Sequence, residues 1–195
     1  MPLDAMSDIS DEALLVLFAN GDRRAARALT LRLTPRVLNH AYRLLGNPAE
    51  AEDVAQEAML RLWKIAPDWR QGEALVTTWL YRVVANLCTD RLRRVRPVTL
   101  EAAAEPVDPA AGPVARLQGV ERTNALQHAL ARLPDRQRQA IVLRHMDELG
   151  NPQIAEIMGI GVEAVESLLA RGKRALSADL IDRREELGFE DDERS

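Results

Sequence analysis

The hydrophobic pattern of the chain is most regular after Gly46-Asn47-Pro48, where apolar residues recur every three or four positions. At 100° per residue these apolar side chains share one side of a helix, and they are Val54, Ala55, Ala58, Met59, Leu62, Ile65 and Ala66. The opposite side carries Asp53, Gln56, Glu57, Leu60 and Lys64. A strand cannot present this spacing, because its side chains alternate between two faces. The pattern therefore predicts an amphipathic helix with one buried and one exposed side.

Further helices are predicted on both sides of this segment. Ser10, followed by two acidic residues, is typical of a helix N-terminus, since a serine side chain can accept from unpaired backbone N–H groups. A second apolar stripe spans 75–92 and ends among the basic residues Arg91, Arg93, Arg94 and Arg96. In the second half, prolines and glycines separate helical segments at 120–132 and 135–149. The sequence thus predicts an all-α fold.

A proline-rich segment separates the two helical halves. The prolines between 97 and 119 interrupt any helical stripe, because each removes a backbone donor and favours an extended residue before it; they are Pro97, Pro106, Pro109 and Pro113. We interpret 97–119 as a flexible linker. The chain is then predicted to form two small helical domains, 1–96 and 120–180, followed by an acidic tail at 181–195.

Composition narrows the class of protein. With 47% hydrophobic and 29% charged residues among 195, the chain can bury a core. Cys88 is the single cysteine, which excludes an internal disulfide framework and a multi-cysteine zinc site. We interpret Cys88 as a packed thiol rather than a redox sensor. No apolar run approaches the roughly 20 residues of a membrane span, and the N-terminus lacks a signal pattern. These features favour a cytoplasmic protein with no membrane contact of its own.

The motifs expected of an enzyme are missing from the sequence. It contains no phosphate-binding loop, dinucleotide fingerprint or zinc-protease motif, and its histidines are isolated along the chain: His40, His128 and His145. We therefore expect a non-enzymatic protein without cofactor or metal. The net charge is −4, but the acidic excess lies in the linker and tail, so local basic clusters still permit DNA binding.

The segment 152–176 has the spacing of a helix-turn-helix. Ala155 supplies the small residue that two crossing helices need where they touch, and Gly159 follows where the turn requires a positive φ. Val165 comes ten positions after Ala155, where the second helix packs back. An ordinary helical hairpin is the alternative interpretation of this segment alone.

In a helix-turn-helix, the second helix enters the major groove of DNA. Its outward residues here are Glu163, Glu166, Ser167, Ala170, Arg171, Lys173 and Arg174. Arg171 can pair with guanine through two hydrogen bonds, and Glu166 can accept one from the amino group of cytosine. Because glutamates repel phosphates, we expect this domain to bind DNA poorly by itself.

Three further motifs occur in order along the chain: Asp53-Val-Ala-Gln-Glu57-Ala-Met-Leu-Arg61-Leu-Trp63, then Thr78-Trp79-Leu80-Tyr81-Arg82 with Asn86 and Asp90, then Leu133-Pro-Asp-Arg-Gln-Arg138. Together with the helix-turn-helix they resemble bacterial sigma factors of the extracytoplasmic-function (ECF) group. The resemblance runs from about Asp11 to Leu180. It implies a subunit that directs core RNA polymerase to promoters and helps to melt them.

The resemblance also implies roles for particular residues. Core polymerase, with its β and β′ subunits, is the implied partner of the polar helix side formed by Asp53, Gln56, Glu57, Leu60 and Lys64. The loop at 68–73 and the helix after it are implied to capture bases of the minus-ten promoter element through Trp69, Arg70, Arg82 and Asn86. Backbone contacts near the upstream end are implied for Arg91, Arg93, Arg94 and Arg96, with helix capping as their alternative. Trp79 is interpreted as core, and Trp63 is left open.

This sequence departs from the family pattern at one place. A small and a basic residue usually stand where this chain has Glu163 and Glu166, so no known minus-thirty-five sequence is transferred to it. The family also implies restraint by an anti-sigma factor and a monomer when free. Two alternatives remain: a sigma-like decoy that sequesters an anti-sigma factor, and a helix-turn-helix repressor, which would need a dimerisation element.

Overall fold

The computed structural model describes residues 6, 8–70, 72, 74–95 and 115–181, and the regular structure in these ranges is helical throughout. The helices are α1 (Asp11–Ala19), α2 (Arg23–Leu45), α3 (Pro48–Ile65), α4 (Val76–Val95), α5 (Ala115–Arg132), α6 (Asp135–His145), α7 (Asn151–Met158) and α8 (Val162–Ile181), with a short 3-10 turn at Ala66–Asp68 after α3. The predicted all-α fold of two helical domains is confirmed.

The helix boundaries follow from local side-chain chemistry. The Ser10 hydroxyl accepts from the Ala13 backbone N–H at 3.2 Å and so caps α1. Gly46 ends α2 in the left-handed conformation with φ 72°, where a side chain would be strained. Asn47 then caps α3 by accepting from the Glu50 N–H at 3.1 Å. Two helices therefore meet at an abrupt turn that fixes the angle of α3.

Helix α2 is the central element of the first domain. It packs against α1, α3 and α4, and it contributes a buried face that includes Leu29, Leu33 and Val37. The helix continues through Pro35, although proline removes one backbone hydrogen bond. The exposed Pro35 lies on the outer side, while Leu33 and Val37 on the inner side are at most 2% exposed. Packing on the inner face thus outweighs the lost bond.

The second domain contains the helix-turn-helix that the spacing predicts. Ala155 is buried in α7, Gly159 has φ 62° in the turn, and Val165 is fully buried where α8 packs back. Helix α8 also packs against α5 and, over a longer contact, against α6. The three positions therefore serve the roles expected of them, two as buried contacts and one as the turn residue.

The structure describes only the carboxyl-terminal end of the predicted linker. Most of the segment 97–119 lies outside the described residues, as does the tail from 182 onward. Helix α5 begins at Ala115, five residues before the predicted start at 120. The last proline of the segment is Pro113, so the residues after it retain the backbone donors that a helix needs. The domain boundaries otherwise stay a prediction.

The two domains pack directly against each other, which the sequence did not predict. Helix α2 contacts α5 and α6, and α4 contacts α7. Buried residues of the second domain, including Leu130, Leu133 and Ile141, join the hydrophobic cluster of the first. The described part of the chain is thus held in a closed arrangement.

A stability prediction follows from the crossing of α6 and α8. A Cβ atom on Gly172 would lie 2.8 Å from Cγ1 of Ile141, which is buried. Overpacking of this kind costs about 1–3 kcal/mol, while alanine recovers about 1 kcal/mol of helix propensity. We expect Gly172→Ala to lower the free energy of unfolding by about 1 kcal/mol in urea titrations. Ser177→Ala on the exposed side of α8 is the control, and a Gly172→Ala protein as stable as that control would contradict the tight crossing.

Candidate functional site

The polar side of α3 forms an exposed strip, as the periodicity predicts. Its members, Asp53, Gln56, Glu57, Leu60 and Lys64, are exposed or half-buried, whereas the opposite side of the helix is buried in the core. Leu60 is 46% exposed and is the one large apolar side chain within this charged strip. The Glu57 carboxylate accepts from Arg61 at 2.8 Å, and this bond lowers the pKa of Glu57. The strip is therefore charged, with one apolar residue at its centre.

An apolar groove lies beside this strip, between α2 and α3. It has a volume of about 320 Å³ and is lined by residues that include Leu38, Met59, Leu60 and Trp63. Trp63, whose role the sequence left open, packs against Phe18 with ring centroids 4.7 Å apart. Its ring is thus half-buried and forms one wall of the groove. The groove went unpredicted because Thr34 and Leu38 of α2 complete a lining that otherwise comes from α3.

The predicted minus-ten residues divide into two groups. Arg82 and Asn86 are both exposed, and they stand one helical turn apart on α4. Arg70 is also exposed. Trp69 is half-buried and meets Trp79 edge-on, with ring centroids 6.2 Å apart. Trp79 packs against the core as expected, while Trp69 presents only part of its ring to solvent.

The arginines at the end of α4 differ in their exposure and in their partners. Arg91 is half-buried and donates to Glu50 of α3 at 2.7 Å. Arg93 and Arg94 are exposed in the last turn of the helix. Arg96 lies outside the described residues. Two arginines of this cluster are therefore exposed to solvent, while a third joins α4 to α3.

The outer face of α8 carries all seven predicted minus-thirty-five residues. Glu163, Glu166, Ser167, Ala170, Arg171, Lys173 and Arg174 are exposed, while Val165 and Gly172 on the opposite side are buried. The Nε atoms of Arg171 and Arg174 donate to backbone carbonyls one turn earlier, at 3.2 and 3.3 Å. These bonds direct the two side chains back along the helix toward its N-terminal turns.

Sequence reasoning missed a buried polar cluster between the domains. The Asp147 carboxylate lies 2.6 Å from Nδ1 of His40 and 3.5 Å from Arg43. Because a carboxylate only accepts, Nδ1 of His40 carries the hydrogen in this bond. Tyr81 packs against the His40 ring at 4.9 Å, and burial with the nearby Asp147 charge raises the pKa of Tyr81 to about 12. Residues 107 positions apart leave no periodic signal that could have revealed this contact.

A metal site or a membrane-spanning helix would indicate another class of protein. Within the described ranges, no group of three or more histidine, cysteine or acidic side chains is placed to hold a metal ion. No helix in these ranges is both long and apolar enough to cross a bilayer.

Comparisons with known proteins identify the family of this chain. The family described as Sigma-70 region 2 matches residues 29–97, and that described as Sigma-70, region 4 matches residues 123–176. The ECF RNA polymerase sigma factor SigW of Bacillus subtilis is 34% identical over 173 residues, covering 83% of this chain and 92% of that protein. SigM of Mycobacterium tuberculosis, also named an ECF sigma factor, is 37% identical over 169 residues, covering 86% of this chain and 83% of its own.

The chain belongs to the ECF RNA polymerase sigma factors. The resemblance read from the motifs is confirmed. Among solved structures, CnrH in complex with the cytosolic domain of CnrY matches with a TM-score of 0.65 and 25% identity, covering 88% of this chain and 97% of that one. The region 2 match covers α2 from residue 29 onward together with α3 and α4, and the region 4 match includes the helix-turn-helix. The α3 strip and the α4 face therefore belong to region 2, and the α8 face belongs to region 4.

The burial of Cys88 gives a chemical prediction. Cys88 is 1% exposed, and burial raises the pKa of its thiol to about 12. Since the thiolate is the reactive form, only about one molecule in 10,000 is reactive at pH 8. We expect Ellman's reagent to modify the native protein at least 100-fold more slowly than the urea-unfolded chain. Native and unfolded chains that react at similar rates would contradict the packed-thiol interpretation.

Proposed function

We propose that this sigma factor holds core RNA polymerase through the outer strip of α3 and reads promoter DNA through α4 and α8. The observation that carries the proposal is common to the three helices: each buries one side in its own domain and leaves the residues of interest exposed on the other. A surface anchored in this way needs little reordering on binding, which favours affinity. The protein then acts as a binding subunit without catalysis of its own.

The α3 strip suits a helical partner such as the clamp helices of the β′ subunit. Leu60 supplies an exposed apolar anchor, and the adjoining groove can receive an apolar side chain from the partner. Asp53 and Glu57 surround this anchor with negative charge, and Lys64 adds one positive charge. An apolar centre with a charged rim is the arrangement found in specific protein interfaces.

The exposed part of α4 suits a single strand of DNA. A base drawn out of the helix needs hydrogen-bonding groups for its edge and an apolar or aromatic wall for its face. Arg82 and Asn86 supply donors and acceptors one turn apart, and Arg70 lies in the loop before α4. The exposed part of Trp69 offers an aromatic surface beside them. Arg93 and Arg94 extend the surface toward backbone phosphates.

The outer face of α8 suits the major groove at the minus-thirty-five element. Arg171, Lys173 and Arg174 supply three positive charges, and Glu163 and Glu166 oppose them in the first turns. Such a face gains little from phosphate attraction alone. Its affinity therefore depends on tethering to polymerase, which raises the effective concentration of DNA near the domain.

A restraining partner is part of the proposal. CnrH was solved with the cytosolic domain of CnrY, and it matches this chain over both domains. We extend the same kind of control to this protein and propose that an anti-sigma factor covers its polymerase-binding and DNA-binding faces. The α3 strip and its groove are the surface most suited to such a partner, because they combine charge with exposed apolar area.

The polymerase contact is tested by the double substitution Asp53→Ala/Leu60→Ala. Both side chains are exposed, so their loss leaves the fold intact while removing the apolar anchor and one rim charge. We expect affinity for purified core polymerase to fall at least about tenfold, since truncating a central anchor commonly costs more than 1 kcal/mol. The control is Leu17→Ala, which truncates an exposed leucine on α1. Unchanged affinity in a folded double variant would exclude α3 as the docking surface.

The DNA contact is tested by Arg171→Ala. A base-contacting arginine is worth about 1–3 kcal/mol, so we expect holoenzyme binding to a cognate promoter to weaken about fivefold to 100-fold. Arg27→Ala removes the same charge from an exposed position on α2 that has no assigned contact, and it should leave promoter binding unchanged. Equal losses in the two variants would indicate a general charge effect rather than recognition by α8.

A further inference from the structure

We infer that Glu12 of α1 positions the minus-ten surface, formed by Trp69, Arg70, Arg82 and Asn86, by capping the amino-terminal end of α4. Glu12 acts through the backbone of α4 and not on DNA itself, so it is a positioning residue. The inference rests on the proposed function, because it concerns how the same surface is held. The region 2 match begins at residue 29, inside α2, so α1 and Glu12 lie outside it.

The contact that carries the inference joins the start of α4 to α1. The Glu12 carboxylate accepts from the Val76 backbone N–H, with 3.0 Å between the oxygen and the nitrogen. Val76 is fully buried, and Glu12 is half-buried. The first N–H groups of a helix have no partner within the helix, and a buried one is costly to leave unpaired. Glu12 therefore supplies a bond that α4 cannot make by itself.

The charge of Glu12 also suits this position. The amino-terminal end of a helix carries a partial positive charge, which an acidic side chain in the first turn stabilises. The first turn of α4, from Val76 to Trp79, contains no acidic residue. Helix α1 thus provides from outside the negative charge that this turn lacks.

Helix α1 is held in a fixed orientation, which places this carboxylate. Asp11, the residue before Glu12, pairs with Arg32 of α2 at 2.6 Å. Leu14 is fully buried in the core, and α1 also packs against the turn at Ala66–Asp68. These contacts anchor α1 on α2 and on the turn after α3. The position of Glu12 is therefore set independently of α4.

The cap lies between the two parts of the minus-ten surface. Val76 comes six positions after Arg70, which lies in the loop, and six positions before Arg82, which lies on the helix. The loop and the helix can present their side chains to one strand of DNA only if the junction between them is fixed. The bond from Glu12 fixes that junction.

The same turn supports the aromatic part of the surface. The Trp79 N–H donates to the Leu75 carbonyl at 3.1 Å and so closes the first turn of α4. The Trp79 ring then meets the Trp69 ring edge-on. If the first turn unwinds, Trp79 is released and Trp69 loses the neighbour that orients its ring. Loss of the cap therefore disturbs both the loop and the helix of the minus-ten surface.

The polymerase contact offers an internal reference for this effect. The residues of the α3 strip all lie on α3, whose own amino-terminal end is capped by Asn47. Loss of the Glu12 cap should thus weaken DNA binding while polymerase binding stays as it is. A general loss of folding would weaken both.

The test compares Glu12→Ala, Glu12→Gln and the control Glu156→Ala in the full-length chain. Glutamine keeps an acceptor oxygen at the same place. Glu156 is an exposed glutamate on α7, so its removal changes the net charge equally. Fluorescence anisotropy measures the affinity of each variant for purified core polymerase and of each holoenzyme for a labelled single-stranded oligonucleotide. The oligonucleotide is the non-template strand upstream of the start site mapped by run-off transcription, and a scrambled strand gives the non-specific background.

We expect Glu12→Ala to weaken holoenzyme binding of the minus-ten strand about fivefold, since this is the usual effect of losing a helix cap. Its affinity for core polymerase should stay unchanged. Glu12→Gln and the control should bind the strand within about twofold of the parent. Equal strand affinity in Glu12→Ala and the control would overturn the inference. An equal loss of polymerase and strand affinity would overturn it too, because it indicates general destabilisation.

Hydrogen exchange in the free chain tests the cap without polymerase. A peptide spanning residues 74–80 should exchange about fivefold faster in Glu12→Ala than in the control, with Glu12→Gln close to the parent. Unchanged exchange would overturn the inference. If exchange rises as expected but the parent holoenzyme does not distinguish the minus-ten strand from the scrambled one, the proposed function fails, and with it the role of the cap in DNA binding.

Discussion

The carboxyl-terminal end of α2 is the point on which the arrangement of the molecule depends. Its last carbonyls are capped by Gln127 and Arg138, and His40 one turn earlier is paired with Asp147. The same helix packs against α3 and α4 through its inner face. One helix thus determines both the internal geometry of region 2 and the position of region 4 against it.

This constraint explains why the interaction surfaces stay accessible while the domains are closed. Region 4 covers the sides of α2 and α4 that carry His40 and Tyr81, whereas Arg82 and Asn86 remain exposed on α4. The α3 strip and the outer face of α8 point away from the contact. Each of the three surfaces is therefore exposed while the two domains are in contact.

The structural features that the sequence predicted are those with local periodicity. The α3 stripe and the helix-turn-helix spacing each lie within about 25 residues, so 3.6-residue repetition was enough to orient their faces. The contact between the domains joins residues 84 to 107 positions apart, and no local pattern reports such contacts. Arg138 stood inside a motif, yet its burial became visible only with the partner helix in place. For Trp69 the sequence predicted a contact with bases of the minus-ten element. The contact with Trp79 that limits the exposure of Trp69 depends on tertiary packing, which the sequence does not report.

Run-off transcription shows directly whether this chain directs initiation through two DNA surfaces on core polymerase. The assay combines purified core polymerase, the protein and a template carrying the promoter of its own operon. We expect transcripts from one defined start site only when the protein is present, with their yield greatly reduced by Asp53→Ala/Leu60→Ala. A folded monomeric protein that neither binds core polymerase nor supports any transcript would contradict the account and favour the decoy.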